Sequence, residues 1–405
     1  MKLKVLVCGA VFSTSGYAEH ARVILRALRT VEDKIDLYIL PYKWSLTTDT
    51  YKNEEEIKWF KYLISKFNQS MLGHFDISIQ LGVPTEWKKY AKYNIGATAG
   101  VETLSMNPEW IDHCNNVDKI ITVSEFSKRT IVNCVLNEKK VQRTVDVIPY
   151  PVKKLNHDDN FKLDVTTKFN FLSINQWAPR KNLENMIHWF VQTFKDNADV
   201  GLIMKTYHQS NSTPDYYNLD LLLYEILYKY KDRKCKVYLI HGDLTDEQIN
   251  SLYTQYNVKA YVNNAHGEGY CLPMFHAACH GIPVVAPDFS GYKDFLYQNK
   301  EEKPGKFKLR PFFQRVDVDI NPVQQNHIMP GIINPGMLWG YPKENDFKIK
   351  IKELYKDYPR FKKQAQDLQK IIKETHDENK IYQKFVDCIF EKFDLSSEEE
   401  VVEVI

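Results

Sequence analysis

The chain has 405 residues, 43% hydrophobic and 26% charged, with 54 Lys and Arg against 52 Asp and Glu and a formal net charge of +2. That length accommodates two domains of ordinary size, and the composition excludes a disordered chain. The balanced charge gives no overall electrostatic case for nucleic acid or an acidic membrane, and no apolar run is long enough to span a bilayer.

Met1-Lys2-Leu3-Lys4 and the apolar residues 5–12 imitate the start of a signal peptide. The apolar run is short, however, and Ser13-Thr14-Ser15-Gly16 leads into a helical pattern rather than a cleavage site, so residues 3–8 read as a first strand. Gly16 and Tyr17 open a helix whose apolar positions include Ala21, Val23, Ile24 and Leu28. Strands follow at 35–40, 75–81, 93–99 and 119–123. Ser124 is an N-cap for a helix running to Val135, and residues 145–149 close the set. Residues 53–67 set Trp59, Phe60, Leu63 and Ile64 among Lys58, Lys61 and Lys66. That is the pattern of a helix with one core face and one wet face; a helix docking on a membrane or an acceptor is the sharper alternative. Repeated strand–helix units predict a parallel sheet with helices on both faces.

Residues 153–167 are polar and aperiodic, and Asn156-His157-Asp158-Asp159-Asn160 reads as a linker. The alternation then restarts, with strands at 169–174, 200–205, 237–240, 260–262 and 284–286 and a helix at 183–194. This predicts a second doubly wound domain, with ligands bound at the carboxyl ends of strands in the cleft between the two. Residues 299–340 hold several prolines and are expected to form an irregular insertion; after Lys343 the pattern is helical to about Phe393. The division expected is 1–155, 165–375, a last helix at 376–394 and an acidic tail at 395–405.

The chemistry concentrates between Asn263 and Ala286. Pro273 suits the first turn of a helix and Gly281 the left-handed position that closes it, while Val284-Val285-Ala286 suits a strand covered on both faces. The loop before that helix therefore aims backbone N–H groups at one point beside the positive end of the helix dipole, an anion site that fits a pyrophosphate. Glu268 lies in the same loop.

This segment resembles the nucleotide-sugar site of retaining glycosyltransferases of family four, whose fold is the two-domain GT-B. The family pattern is Glu-Gly-aromatic-Gly-Leu-Pro-x-x-Glu-Ala, a small-residue helix, then Gly-x-Pro-Val. Glu268, Gly269, Tyr270, Leu272, Pro273, Ala277, Gly281, Pro283 and Val284 fall into step with it. His276 stands where the family has its second glutamate, which usually holds the donor's ribose; a histidine can donate or accept there but offers no paired acceptor oxygens.

Four further segments meet the pattern. In Gln176-Trp177-Ala178-Pro179-Arg180-Lys181-Asn182 the family places an arginine and a lysine, five apart, on the donor diphosphate. Lys181 takes the lysine position and Gln176 the arginine position, with Arg180 next door to compensate; such cations stabilise the charge on the leaving nucleotide. A solvated basic turn is the bland alternative. Gly16 resembles the glycine of the first domain's loop, which approaches the donor phosphate or the acceptor. Glu102, ending another strand, could bind the acceptor or orient its hydroxyl, and equally reads as a capping or surface glutamate. His241-Gly242 resembles the loop that holds the base.

His266, Cys271, His276, Cys279 and His280 also admit a metal reading, because His276 and His280 share a helix face. No third ligand is fixed by spacing, and no metal is expected. Asp317-Val318-Asp319 imitates the Asp-x-Asp of metal-dependent GT-A enzymes, but the two-domain alternation argues against that fold.

The resemblance implies an α/β protein of two Rossmann-like doubly wound domains facing across a cleft. Its activity would be transfer of a hexosyl or pentosyl unit from a nucleotide-diphosphate donor to an acceptor hydroxyl, with retention and without metal or another cofactor. Glu268 and Glu102 would be the catalytic residues. Gly16, Arg180, Lys181, His241, Gly242, Gly269, Tyr270, Cys271, Leu272 and His276 would bind the donor. The acceptor would be a glycan, a protein or a small molecule.

Other readings stay open. One is a viral DNA-base glycosyltransferase acting on a hydroxymethylated pyrimidine, which the near-neutral charge disfavours. Another is an inactive GT-B-like binding protein. Phosphorylases and epimerases share the fold. Seven widely spaced cysteines without Cys-x-x-Cys point to a reducing cytoplasm. A composition rich in Lys, Asn, Ile and Tyr hints at an AT-rich genome, such as that of a virus or phage, and a viral source would make the compartment the host cytoplasm.

Overall fold

The computed structural model describes residues 2–43, 50–70 and 74–395; all but the first residue of the expected acidic tail lies outside them. The first domain runs β1 (Leu3–Gly9), α1 (Gly16–Arg29), β2 (Ile35–Pro41), α2 (Glu54–Ser70), β3 (Phe75–Leu81), β4 (Ala91–Thr98), α3 (Trp110–Asn115), β5 (Lys119–Thr122) and α4 (Glu125–Val132). A small hairpin of β6 (Val135–Leu136) and β7 (Lys139–Lys140) precedes β8 (Val145–Val147). Six of these strands form a parallel sheet in the order β2-β1-β3-β4-β5-β8. Val5, Val7, Ile77, Ile79, Ile95 and Ile121 are buried in it, β-branched side chains that suit a sheet covered on both faces. Ser15 caps α1 by accepting from the Ala18 N–H, and Ser124 caps α4 by accepting from the Ser127 N–H. The helix after Ser124 stops at Val132 rather than Val135, because Val135 already pairs with Lys140.

The second domain runs β9 (Phe169–Gln176), α5 (Leu183–Phe194), β10 (Val200–Tyr207), α6 (Thr213–Tyr228), β11 (Lys236–Ile240), α7 (Asp246–Thr254), β12 (Val258–Val262), α8 (Leu272–Cys279), β13 (Val284–Pro287) and α9 (Lys293–Leu296). It continues through β14 (Tyr297–Lys303), β15 (Lys306–Pro311), β16 (Gln314–Val316), β17 (Val318–Pro322) and β18 (Leu338–Pro342). Helices α10 (Glu344–Lys356), α11 (Tyr358–Thr375) and α12 (Glu378–Phe390) follow. Its parallel sheet has the order β11-β10-β9-β12-β13-β16. Two doubly wound sheets of this kind make a GT-B architecture.

The expectation of an irregular stretch at 299–340 holds for 323–337, which carry only the 3-10 turn Gln325–His327 and an isolated bridge, and fails for the rest. β14 and β15 form an antiparallel hairpin, β16 joins the edge of the main sheet, and β17 pairs antiparallel with β18. Pro311, Pro322 and Pro342 each end a strand, so the prolines punctuate strands rather than abolish them.

This segment also ties the domains together. The Leu104 N–H donates to the Leu338 carbonyl at 2.9 Å, and Trp110 Nε1 donates to the Gly331 carbonyl at 2.9 Å. Val323, Ile333, Met337 and Trp339 share one apolar cluster with Met106, Trp110 and Phe126 of the first domain. At the other side, α12 packs on α1 and buries Ile381, Phe385 and Ile389. Buried Lys119 holds Glu391, just past α12, at 2.5 Å and Asp146 at 2.9 Å.

Five histidines, His20, His266, His276, His280 and His376, are held uncharged mainly by burial; their pKa values fall to about 4, or about 3 for His276. In the unfolded chain they titrate near 6.5. Their contribution to stability is therefore full above pH 6.5 and is lost as pH falls from there toward 4, because the unfolded state then binds more protons. Each one costs up to about 1.4 kcal/mol per pH unit in that window. Buried Glu19 and Glu56, held low by neighbouring cations against the cost of burial, add a further loss below their ordinary range. The melting temperature is expected to fall steeply between pH 6.5 and 5. A flat profile from calorimetry over that range would contradict the burial of these rings.

Candidate active site

The loop between β12 and α8 carries Glu268 into the seam between the domains. Its backbone is fixed at both ends: the Glu268 N–H donates to Ser290 Oγ at 2.9 Å, and its carbonyl accepts from the Gly291 N–H at 3.0 Å. The side chain is 6% exposed. Oε1 accepts from Lys181 Nζ at 2.5 Å and Oε2 from Arg180 Nη1 at 3.1 Å. Burial acts to raise the Glu268 pKa, but the Lys181 and Arg180 charges outweigh it and hold the carboxyl below its usual range. Arg180 Nη2 reaches Glu102 Oε1, from the first domain, at 3.0 Å. Lys181, Glu268, Arg180 and Glu102 thus form one ionic chain across the cleft.

Local sequence explains the placement. Pro179 starts a single 3-10 turn, Pro179–Lys181, and Asn182 turns the chain at φ 54° into α5. The turn sends both cations to one side. The Arg180 carbonyl accepts from the His266 N–H at 2.8 Å, and Arg180 Nη1 also donates to the Gly267 carbonyl.

Glycines let the domains meet. A Cβ on Gly267 would lie 2.0 Å from the Glu102 carbonyl oxygen, and one on Gly269 2.7 Å from that of Ala99. Ser124 Oγ donates to the Gly269 carbonyl at 2.7 Å. The seam is therefore closed backbone to backbone, which excludes water from Glu268.

The other expected site residues divide. Cys271 adopts φ 70° at the N-cap of α8, with Leu272 and Pro273 opening the helix beside Glu268. Burial pushes the Cys271 thiol up to about 12, so it is a packed thiol and not a thiolate. The Tyr270 ring is turned into the core against Tyr150, Phe275 and Phe295, so its side chain is not part of the seam's ionic chain. A Cβ on Gly16 would meet nothing within 4 Å, so the space above α1 is open to a ligand. His276 lies within electrostatic reach of Lys153 and Glu19 of the opposite side of the seam, and burial holds it neutral. His241 is apart from the ionic chain, two strands along the sheet from β12's neighbour β9; its Nε2 is 3.1 Å from Asp215 Oδ2 at the start of α6. Gly242 beside it turns at φ 99°. Gln176 is occupied, its amide donating to the His208 carbonyl at 2.8 Å.

Sequence reasoning missed Ser290, Asp215 and the packing of Trp339 on His266, whose rings stack 4.8 Å apart. A serine and glycine three residues past a buried strand signal the first. Nothing local signals the third, because it crosses from β18. A groove of about 730 Å³ runs between α6 and β11, but neither Glu268, Glu102, Arg180 nor Lys181 lines it.

No protein-family model matches the chain, and no curated protein matches it in sequence. Solved structures are similar in fold. One is HepE of Anabaena in complex with UDP and glucose, with a TM-score of 0.64 and 12% identity over 95% of this chain and 99% of that one. Another is sucrose-phosphate synthase from Thermosynechococcus elongatus, with a TM-score of 0.65 and 11% identity over 96% and 98%. A third is the apo form of the lipopolysaccharide outer core galactosyltransferase WaaB, at 0.56 and 12% over 97% and 100%. At such identities the likeness carries the fold, which is GT-B. Among the described residues no helix is long and apolar enough to cross a membrane.

Proposed function

We propose that the protein is a glycosyltransferase that moves a hexosyl or pentosyl unit from a nucleotide diphosphate to an acceptor hydroxyl. The observation that carries the reading is buried Glu268, held by Lys181 and Arg180 in the loop that opens α8. A diphosphate entering there draws both cations and the positive end of α8 toward itself. Glu268 is then released to accept hydrogen bonds from the sugar hydroxyls near the reacting carbon. Glu102, freed from Arg180 in the same exchange, faces the acceptor side. The two cations supply the charge stabilisation that a divalent ion supplies in other transferases, and retention follows from the likeness of residues 268–284 to family four. Similarity to HepE, solved with UDP and glucose, supports a nucleotide-sugar donor.

Two observations favour a second reading, a binding protein with a degenerate donor site: His276 replaces the family's carboxylate, and Gln176 is spent on His208. The test is release of nucleotide from UDP-, GDP-, ADP- and TDP-sugars in the presence of glycan acceptors, followed by phosphorus NMR. Release of one nucleoside diphosphate by the wild type, and none by Glu268→Gln, supports the enzyme. Tight binding without release supports the binding protein.

A further inference from the structure

The charges in the seam cancel. Lys181 and Arg180 are offset by Glu268 and Glu102 within one hydrogen-bonded chain. A nucleotide diphosphate brings its own negative charge, and both cations must leave a carboxylate to meet it. Gln176, nearby at the end of β9, is neutral and already bonded. The row of strand ends therefore lacks a cation that is free before the donor arrives.

Lys205 is such a cation. It lies near the carboxyl end of β10, in register with Ile174 of β9 and Ile240 of β11. Strand alternation puts its side chain on the face that carries Ile203 and Tyr207, and their register partners Gln176 and Tyr238 lie on that face of the neighbouring strands. The residue is 7% exposed, and among the described residues no hydrogen bond or ion pair reaches its ammonium. The one charge that offsets its burial is Asp243, in the loop that follows His241 and Gly242, and Asp243 is itself bonded by the Asn211 amide. Burial lowers the lysine's pKa from its ordinary value. A leucine or methionine would fill a position flanked by isoleucines without that cost. A lysine whose stem is buried and whose ammonium keeps a little solvent but no protein partner is free to meet an anion that arrives.

Position decides which part of the donor it meets. The ionic chain lies at the ends of β9 and β12, where the sugar and its phosphate would sit; Lys205 is on the far side of β9, toward the loop at 241–243. Resting on the glycosyltransferase reading above, we propose that Lys205 is the third cation of the donor site and binds the oxygens of the nucleoside monophosphate half of the donor.

The experiment is calorimetric titration of wild type and Lys205→Met with UDP, GDP and ADP, then with the matching monophosphate and with pyrophosphate. Ligand-free melting of both proteins is measured alongside. The diphosphate that wild type binds best, and its monophosphate, should bind Lys205→Met at least tenfold more weakly. Pyrophosphate, which offers a phosphate at that position but no nucleoside, should lose less affinity than the nucleotides, and ligand-free melting should be unchanged or raised, because a desolvated charge is gone. Nucleotide affinity within twofold of wild type overturns the proposal, as does weakening that tracks a lowered ligand-free melting temperature. If wild type binds none of the three diphosphates, the glycosyltransferase reading itself fails, a result distinct from undiminished binding by the variant.

Discussion

Glu268→Gln is expected to lower sugar transfer by about 10²–10³-fold while nucleoside diphosphate binds as tightly as to wild type, or more tightly. The amide is nearly isosteric, so the loop fixed by Ser290 and Gly291 should persist. What disappears is the negative charge that Lys181 and Arg180 hold. Lys181 then lacks a counter-charge and Arg180 keeps only Glu102, which should destabilise the ligand-free protein by up to about 3 kcal/mol, discounted because both cations are partly exposed. A diphosphate restores the balance, so stabilisation by the ligand should be larger in the variant than in wild type. This split, transfer lost and product binding kept, separates a residue that acts on the sugar from one that only supports the fold. If transfer and diphosphate binding fall together, Glu268 is structural.

The second large effect should come from Gly267→Ala. The added methyl would stand 2.0 Å from the Glu102 carbonyl oxygen, a backbone atom that no rotamer change can move. Gly267 has no positive φ among its own dihedrals, so alanine suits its backbone and the conflict lies wholly across the seam. The domains must part there, which separates Arg180 from Glu102 and admits water to Glu268. Transfer should fall by at least about 100-fold, in line with misplacement of reacting groups by an ångström or more. Small-angle scattering should show a larger radius of gyration, with circular dichroism unchanged. Full activity with unchanged scattering would show that closure is not needed.

Much of this was legible in the chain because it is local. Buried runs such as 75–81 and 284–286 are read directly as strands, and Ser124 as a cap. Glu268 and the pair Arg180 and Lys181 stand in short motifs, each with its own turn chemistry. What was not legible is nonlocal. The pairing of Arg180 with Glu102 joins residues 78 positions apart on two domains. The β17–β18 pair was hidden by prolines at strand ends, and its role in tying the domains rests on the Leu104–Leu338 and Trp110–Gly331 hydrogen bonds. Lys205 was hidden inside a strand pattern, where a lysine reads as one wet position of an edge; only the order of the sheet places it in the interior, between β9 and β11. His241, likewise, reads as a ligand-facing loop residue until its bond to Asp215 is seen.

The most direct test of a donor site is a thermal-shift panel of UDP, GDP, ADP and TDP on wild type and Lys181→Ala. One diphosphate at about a hundred times its dissociation constant should add about 2.7 kcal/mol of apparent stability to wild type, and that gain should vanish in Lys181→Ala. No response of folded wild type to any of the four would contradict a nucleotide-sugar site at Glu268.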